Sequence, residues 1–402
     1  MSPAPKAANQ TRVECKHDFT SKLQQPSLMP SVQKYVDWQK SVRRAELAEV
    51  KVPPMPETWG PISINLDLTT ACNYRCDHCI DWDILNSKIR YDYEKLLKSL
   101  ENLIVRGLRS VILIGGGEPT LHPKFRETVR FLKERSIQIA VVSNGSRNDL
   151  VYDIAGEFGG KDWVRLSLDS ASDSLFERMH KPRKGTTLSG ICSWVPRIRE
   201  KNPELPVGFS FIIVWKGAER TGAVDVIPNI EEIVGAAKLA RDHNFSYIAY
   251  KPFLTRHPNG AEVMEASEIE NFSQTVARVR SAVAEAKTYE TTEFRVIEST
   301  NLRVLMDGSW ETFTRQPKVC HMQAFRQVLS PLGLFNCPAH RGVEKARIAG
   351  ADSYSSERAV KETIGSTEAI LSRFDASKEC QKITCLYNPV NWWLERAING
   401  EL

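Results

Sequence analysis

The sequence has no apolar run near the roughly 20 residues that a membrane-spanning helix needs, which excludes an integral membrane protein built on such helices. Its first ten residues, MSPAPKAANQ, carry no apolar core after their charge, so no secretory signal is expected there. Net charge is scarce as well: 54 Lys+Arg stand against 49 Asp+Glu, giving +5 over 402 residues. Most of that excess falls in residues 1–55, where nine basic side chains oppose five acidic ones. This is not the concentrated basic face of a nucleic-acid binder. The extension reads as solvated surface, and no nucleic-acid or membrane partner is expected. Internal repeats and low-complexity tracts are absent. With 42% apolar and 26% charged residues, the composition excludes a fibrous or wholly disordered chain. These absences predict a cytoplasmic protein, in which nine cysteines stay reduced and serve as metal ligands or catalysts rather than disulfides.

What is present is a regular alternation. Short apolar runs at Ile64–Thr70, Ser110–Ile114, Ile137–Ser143, Val164–Asp169, Val207–Trp215 and Tyr247–Lys251 read as strands. Between them lie amphipathic segments such as Tyr93–Arg106, where Leu96, Leu97, Leu100, Leu103 and Ile104 recur at helical spacing before Gly107. Phe125–Arg135 and Ile230–His243 read the same way. Six strand–helix units predict a parallel sheet, either open or curled into a barrel. Three parts follow: an extension at 1–55 with a helix over Val32–Val50, a parallel α/β unit at 56–258, and a C-terminal part at 259–402. The Pro53-Pro54 pair marks the first boundary and Pro258-Asn259-Gly260 the second. Ser267-Glu268-Ile269-Glu270 has the pattern of a capping box and predicts a helix running to about Ala286. Further on, Gln327–Ser330 and Leu334–Asn336 flank Pro331-Leu332-Gly333 as a hairpin.

The chemistry is concentrated in Cys72-Asn-Tyr-Arg-Cys76-Asp-His-Cys79, directly after the first strand. Three thiolates in eight residues reach one metal centre but leave a closed zinc site one ligand short, and a redox pair needs only two cysteines. They suit a 4Fe–4S cluster with one iron open. A site at the C-terminal end of a parallel strand is where α/β architectures bind ligands.

This C-x3-C-x2-C arrangement resembles that of the radical SAM enzymes, and the resemblance spans about residues 62–253. It implies a partial (β/α)6 barrel, S-adenosylmethionine bound to the open iron, and Cys72, Cys76 and Cys79 as the catalytic cluster ligands. It also implies that Gly115, Gly116, Gly117 and Glu118, after the second strand, meet the SAM amino group. Ser143, Asn144, Ser167 and Asp169, at the next strand ends, would serve the carboxylate and ribose, and His78 would lie against the adenine. The reaction so implied is reductive cleavage of SAM, fed by an external one-electron reductant of flavodoxin or ferredoxin type, to a radical that abstracts hydrogen from a small-molecule substrate.

Four more cysteines, Cys320, Cys337, Cys380 and Cys385, form two pairs that can complete one four-thiolate site. Spacing alone suits either a structural zinc or an iron–sulfur cluster, and four unrelated buried thiols are the bland alternative. The pattern resembles the auxiliary-cluster domains called SPASM and, in truncated four-cysteine form, twitch. That likeness implies a second 4Fe–4S cluster and points to sugar- and aminocyclitol-modifying members of the family. The expected activity is net oxidation of an alcohol, with the auxiliary cluster accepting the electron. A redox-neutral sugar epimerase is the first alternative, and a ribosomal-peptide-modifying enzyme the second. Residues 193–319 hold no cysteine to return a hydrogen atom, which favours oxidation. Candidate substrate groups are Arg165, Lys216, Lys251, Arg256 and His257; His321 and His340 adjoin or lie near cluster cysteines.

Overall fold

The computed structural model describes residues 19–401 except 222, 223, 258, 259 and 265. Cys15 and the Pro258-Asn259 turn therefore lie outside the described residues. Its centre is a single ten-stranded sheet, whose strands are numbered here along the chain. They are β1 (Ser63–Leu66), β2 (Ser110–Leu113), β3 (Gln138–Ser143), β4 (Trp163–Ser167), β5 (Val207–Ile213), β6 (Tyr247–Pro252), β7 (Arg295–Glu298), β8 (Arg326–Ser330), β9 (Gly333–Phe335) and β10 (Arg347–Ala349). The order is β7-β6-β5-β4-β3-β2-β1-β8-β9-β10, and the outermost strands do not pair with each other.

Strands β1 to β7 and β8 are mutually parallel, whereas β8-β9-β10 is an antiparallel meander. All six expected strands are present; four end one to four residues before their apolar runs, β3 ends with its run at Ser143, and β6 ends one residue later, at Pro252. The four longer runs continue past the strand into the loops at that edge. The hairpin around Pro331-Leu332-Gly333 is present too, as β8 and β9. Its first strand does something local pattern does not encode: it joins β1 in parallel, pairing Ser63 with Arg326 and Leu66 with Leu329.

Strand register sorts the side chains into two faces, because residues opposite each other in a parallel pair point the same way. Leu66, Leu113, Val141, Leu166, Phe209 and Ile248 are all fully buried on one face. Helices cover this face: the Tyr250 hydroxyl donates to the Ile233 carbonyl of the Ile233–Asp242 helix at 2.6 Å. Each buried aliphatic or Phe side chain there contributes about 1.5–3 kcal/mol. The opposite face carries Ser63, Asn65, Ser110, Arg165, Ser167, Ser210 and Lys251, a polar surface inside a parallel sheet.

The first two amphipathic segments become the helices Tyr93–Val105 and Phe125–Glu134, while Ile230–His243 splits into a 3-10 turn and the Ile233–Asp242 helix. Asp92 caps the first of these, accepting from Glu94 N and Lys95 N. The capping-box expectation is corrected. Ala266–Glu268 forms an isolated 3-10 turn, and the long helix is Phe272–Lys287, entered through Asn271 in the left-handed region at φ 49°. The Ser267 side chain therefore caps no α-helix, and Asn271, which tolerates positive φ, redirects the chain first. After a short helix at Phe19–Leu23, the expected Val32–Val50 helix runs as Met29–Leu47, three residues earlier at each end. It packs on the C-terminal helix Asn388–Asn399, where Arg43 and Glu395 meet at 2.7 Å.

Candidate active site

Strand β1 delivers the chain at Leu66, and the cysteine loop follows at the C-terminal edge of the sheet. Cys72, Cys76 and Cys79 are half-buried there, and none is in a disulfide. The three thiols lie close enough to raise one another's proton affinity. Burial raises the proton affinity of Cys76 first, and the neighbouring Cys79 and Cys72 raise it further. Burial and the Asp81 carboxylate push Cys79 up to about 12. Three convergent thiols without a fourth are the donor set of a three-coordinate cluster site, so the residues present fit such a group.

A buried carboxylate anchors this loop. Asp169, just past β4 at φ 50°, takes the amide of Ile212 on one oxygen at 2.7 Å. On the other it meets Nε2 of His78 at 3.0 Å. Burial opposes its ionisation most strongly, but His78, His180 and the Ile212 amide together outweigh it and hold Asp169 below the usual carboxylate range. His180 completes the group: its Nδ1 lies 3.2 Å from Cys76 Sγ and its Nε2 3.0 Å from the Leu168 carbonyl. Burial holds His180 near 4, hence neutral. No motif announced His180, which arrives from the end of the Asp173–His180 helix, 104 residues from Cys76.

The second group of expected residues also comes together. Glu118 is buried, accepting from Ser143 Oγ at 2.8 Å, Asn144 N at 2.6 Å, and both the amide and hydroxyl of Thr120. Asn144 Nδ2 reaches Asn73 of the cysteine loop at 2.9 Å. Gly115 and Gly116 have φ of 75° and 62°, a region that costs a side chain strain. A Cβ on Gly117 would lie 2.4 Å from the Ala71 carbonyl. The glycines thus let β2's exit press against the cysteine loop and against Arg341 and Asp67. Ser167 is half-buried on the polar face, next to Ser210.

The C-terminal cysteines converge as well. Cys320, Cys337, Cys380 and Cys385 line one small buried cavity, together with His340 and Asn391. Burial raises the Cys380 thiol, and the other three cysteines add to the effect. Asn391 Nδ2 donates to Cys320 Sγ at 3.4 Å and the Tyr387 amide to Cys385 Sγ at 3.3 Å. Four thiols on one cavity, two of them with donors aimed at their sulfurs, fit a fully ligated metal centre. His340 Nε2 lies 3.7 Å from Cys380 Sγ. His321 instead bridges outward, to Tyr35 at 2.9 Å and Glu395 at 2.8 Å.

Between the two thiol sets sits a charged cluster that sequence reasoning missed in part. Arg341, four residues past Cys337, is buried with its Nε 2.9 Å from Asp67 and Nη1 2.9 Å from both oxygens of Asp81. Arg256 is buried beside it, 3.7 Å from Asp81 and 3.5 Å from Asp83. Of the other candidate substrate groups, Lys216 is exposed and His257 half-buried; Lys251 donates to Ser210 at 3.0 Å, and Arg165 is buried.

Residues 66–268 match the family model described as the Radical SAM superfamily. A similar protein is an S-adenosylmethionine-dependent nucleotide dehydratase of Psychrobacter lutiphocae, 24% identical over 228 residues, covering 51% of this chain and 75% of the relative. Another is a GTP 3',8-cyclase of Chlorobaculum tepidum, 33% identical over 115 residues, covering 28% of this chain and 34% of that one. The chain thus spans about a third of the second relative. Among solved structures, Streptococcus suis SuiB superposes with a TM-score of 0.53 at 12% identity, over 75% of this chain and 65% of that one. The AdoMet-bound structure of anSMEcpe gives 0.52 at 14% identity, over 85% and 97%. These two show likeness of fold. No helix among the described residues is long and apolar enough to cross a membrane.

Proposed function

We propose that this chain, which belongs to the radical SAM superfamily, is an oxidoreductase that removes hydrogen from an alcohol carbon of a small, sugar- or aminocyclitol-like substrate. The observation that carries this reading is the convergence of Cys320, Cys337, Cys380 and Cys385 on one cavity, apart from the three-cysteine loop. A site closed by four protein ligands has no vacancy for substrate, and holding an iron–sulfur cluster it would serve electron transfer. In our reading the first six parallel strands, β1–β6, form a partial barrel and residues 259–402 a twitch-like auxiliary domain. The protein is cytoplasmic in this reading and takes electrons from a flavodoxin- or ferredoxin-type donor.

Cys72, Cys76 and Cys79 would hold the first 4Fe–4S cluster, with Glu118, Ser143 and Asn144 forming a polar wall for SAM. When bound, the two clusters and SAM supply a 5′-deoxyadenosyl radical that takes one hydrogen atom and an acceptor for the electron left on the carbon. The chain's own residues position and enclose. His78 and Asp169 fix the cysteine loop over the sheet edge. Arg341 ties the C-terminal part down through Asp67 and Asp81, excluding water from the space where a radical must survive.

Anaerobic incubation of the reconstituted protein with SAM and dithionite tests the reading. 5′-Deoxyadenosine is expected, with a two-electron-oxidised product once a sugar or aminocyclitol substrate is supplied. A substrate carbon that gains solvent deuterium without net oxidation would instead identify the epimerase.

A further inference from the structure

The polar face of the sheet is unevenly charged. Arg165 on β4 stands in register with Gly208 on β5 and Tyr247 on β6. The Tyr247 ring lies over Gly208, in the place a Cβ would take, 2.1 Å from that position. One pleat higher, Ser167 lies beside Ser210, and Lys251 reaches down from the strand end to donate to Ser210 Oγ at 3.0 Å. Across the sheet, Arg326 donates to Asn65 at 2.6 Å.

Arg165 is 8% exposed, and its Nε is buried without a hydrogen-bond partner. No carboxylate among the described residues lies within ion-pair distance of it, and its one recorded neighbour is the Trp163 ring at 5.2 Å. Every other arginine buried to this degree is paired: Arg341 with Asp67 and Asp81, and Arg256 with Asp81 and Asp83. A buried guanidinium without a counter-charge is costly, and a fork of donors matches the oxygens of a phosphate or carboxylate. Asp169, which holds His78 of the cysteine loop, follows Arg165 by four positions, just past the end of β4.

We propose that the polar face holds the oxyanion group of the substrate, a phosphate ester or a carboxylate, between Arg165 and Lys251 with the Ser210 hydroxyl, leaving the reacting carbon under the cysteine loop. This deepens the proposed function and rests on it for the fate of the ligand. Oxyanion binding itself needs neither SAM nor an electron, so the two readings fail separately.

Isothermal titration of the full chain, at constant ionic strength set with chloride, uses inorganic phosphate and acetate as probes. Saturable binding of one or both is expected, weakened at least tenfold in Arg165→Gln and in Lys251→Met at unchanged iron content. Arg165→Lys, which keeps the charge and the stem, falls between, and it serves as the reference if the glutamine variant does not fold. Phosphate binding alone assigns a phosphate ester, and acetate binding alone a carboxylate. Saturable binding of neither, or binding that these substitutions leave unchanged, overturns the proposal.

Discussion

The functional residues divide into those whose neighbours are local and those whose neighbours are distant, and legibility follows that division. The cysteine triad is readable because the three thiols proposed for one centre fall within eight residues. Glu118, Ser143 and Asn144 were readable as strand-end polar groups, and they meet through hydrogen bonds of 2.6–2.8 Å. His180 and Arg341 carried no signal, because their partners lie 104 and 260 residues away. The Arg341 cluster has a consequence for pH. Burial, opposed by Arg341 and reinforced by Asp81, raises Asp67 from 3.8 to about 7. The folded chain then keeps a proton that the unfolded chain releases in that interval, so stability falls as pH rises from about 4 to about 7. Urea midpoints of the cluster-free chain across this range are expected to decline, and Asp67→Asn to flatten the decline. A midpoint rising with pH over the same window would contradict the assignment.

At the scale of elements, periodicity sufficed for the six strands, the hairpin and the main crossover helices, since each is specified by residues a few positions apart. It could not give the parallel pairing of β8 with β1, which joins segments some 260 residues apart, nor the packing of the Met29–Leu47 helix. That helix is built into the C-terminal part: Tyr35 is fully buried, packs edge-on against Phe325 at 4.9 Å, and hydrogen-bonds His321 beside Cys320. Burial and the Cys320 thiol together hold the Tyr35 hydroxyl protonated, well above its ordinary range. Tyr35→Ala removes a buried aromatic and is expected to cost about 3–5 kcal/mol. Tyr35→Phe loses one hydrogen bond and leaves the His321 nitrogen unpaired, about 1–3 kcal/mol. Denaturant titration separates the two. Equal, negligible effects would mean that the helix does not brace the Cys320 segment.

Over the whole molecule, one continuous sheet runs from the strands that carry the cysteine loop into the meander that carries Cys337. The two thiol sets are therefore held by one framework, with the Arg341–Asp67–Asp81 cluster between them. A zinc in the four-cysteine site would stabilise this framework equally well but could not accept an electron, so the identity of that metal decides between an oxidase-like reading and a purely structural role. The four cysteines of the second set line one cavity, and spacing is blind to which metal they would bind. The direct measurement is iron, zinc and acid-labile sulfide per chain after anaerobic purification and reconstitution. Two clusters predict about eight iron and eight sulfide with no zinc, dropping by about half when Cys337 and Cys380 are both replaced by alanine. About four iron and one zinc in the parent protein would contradict the account.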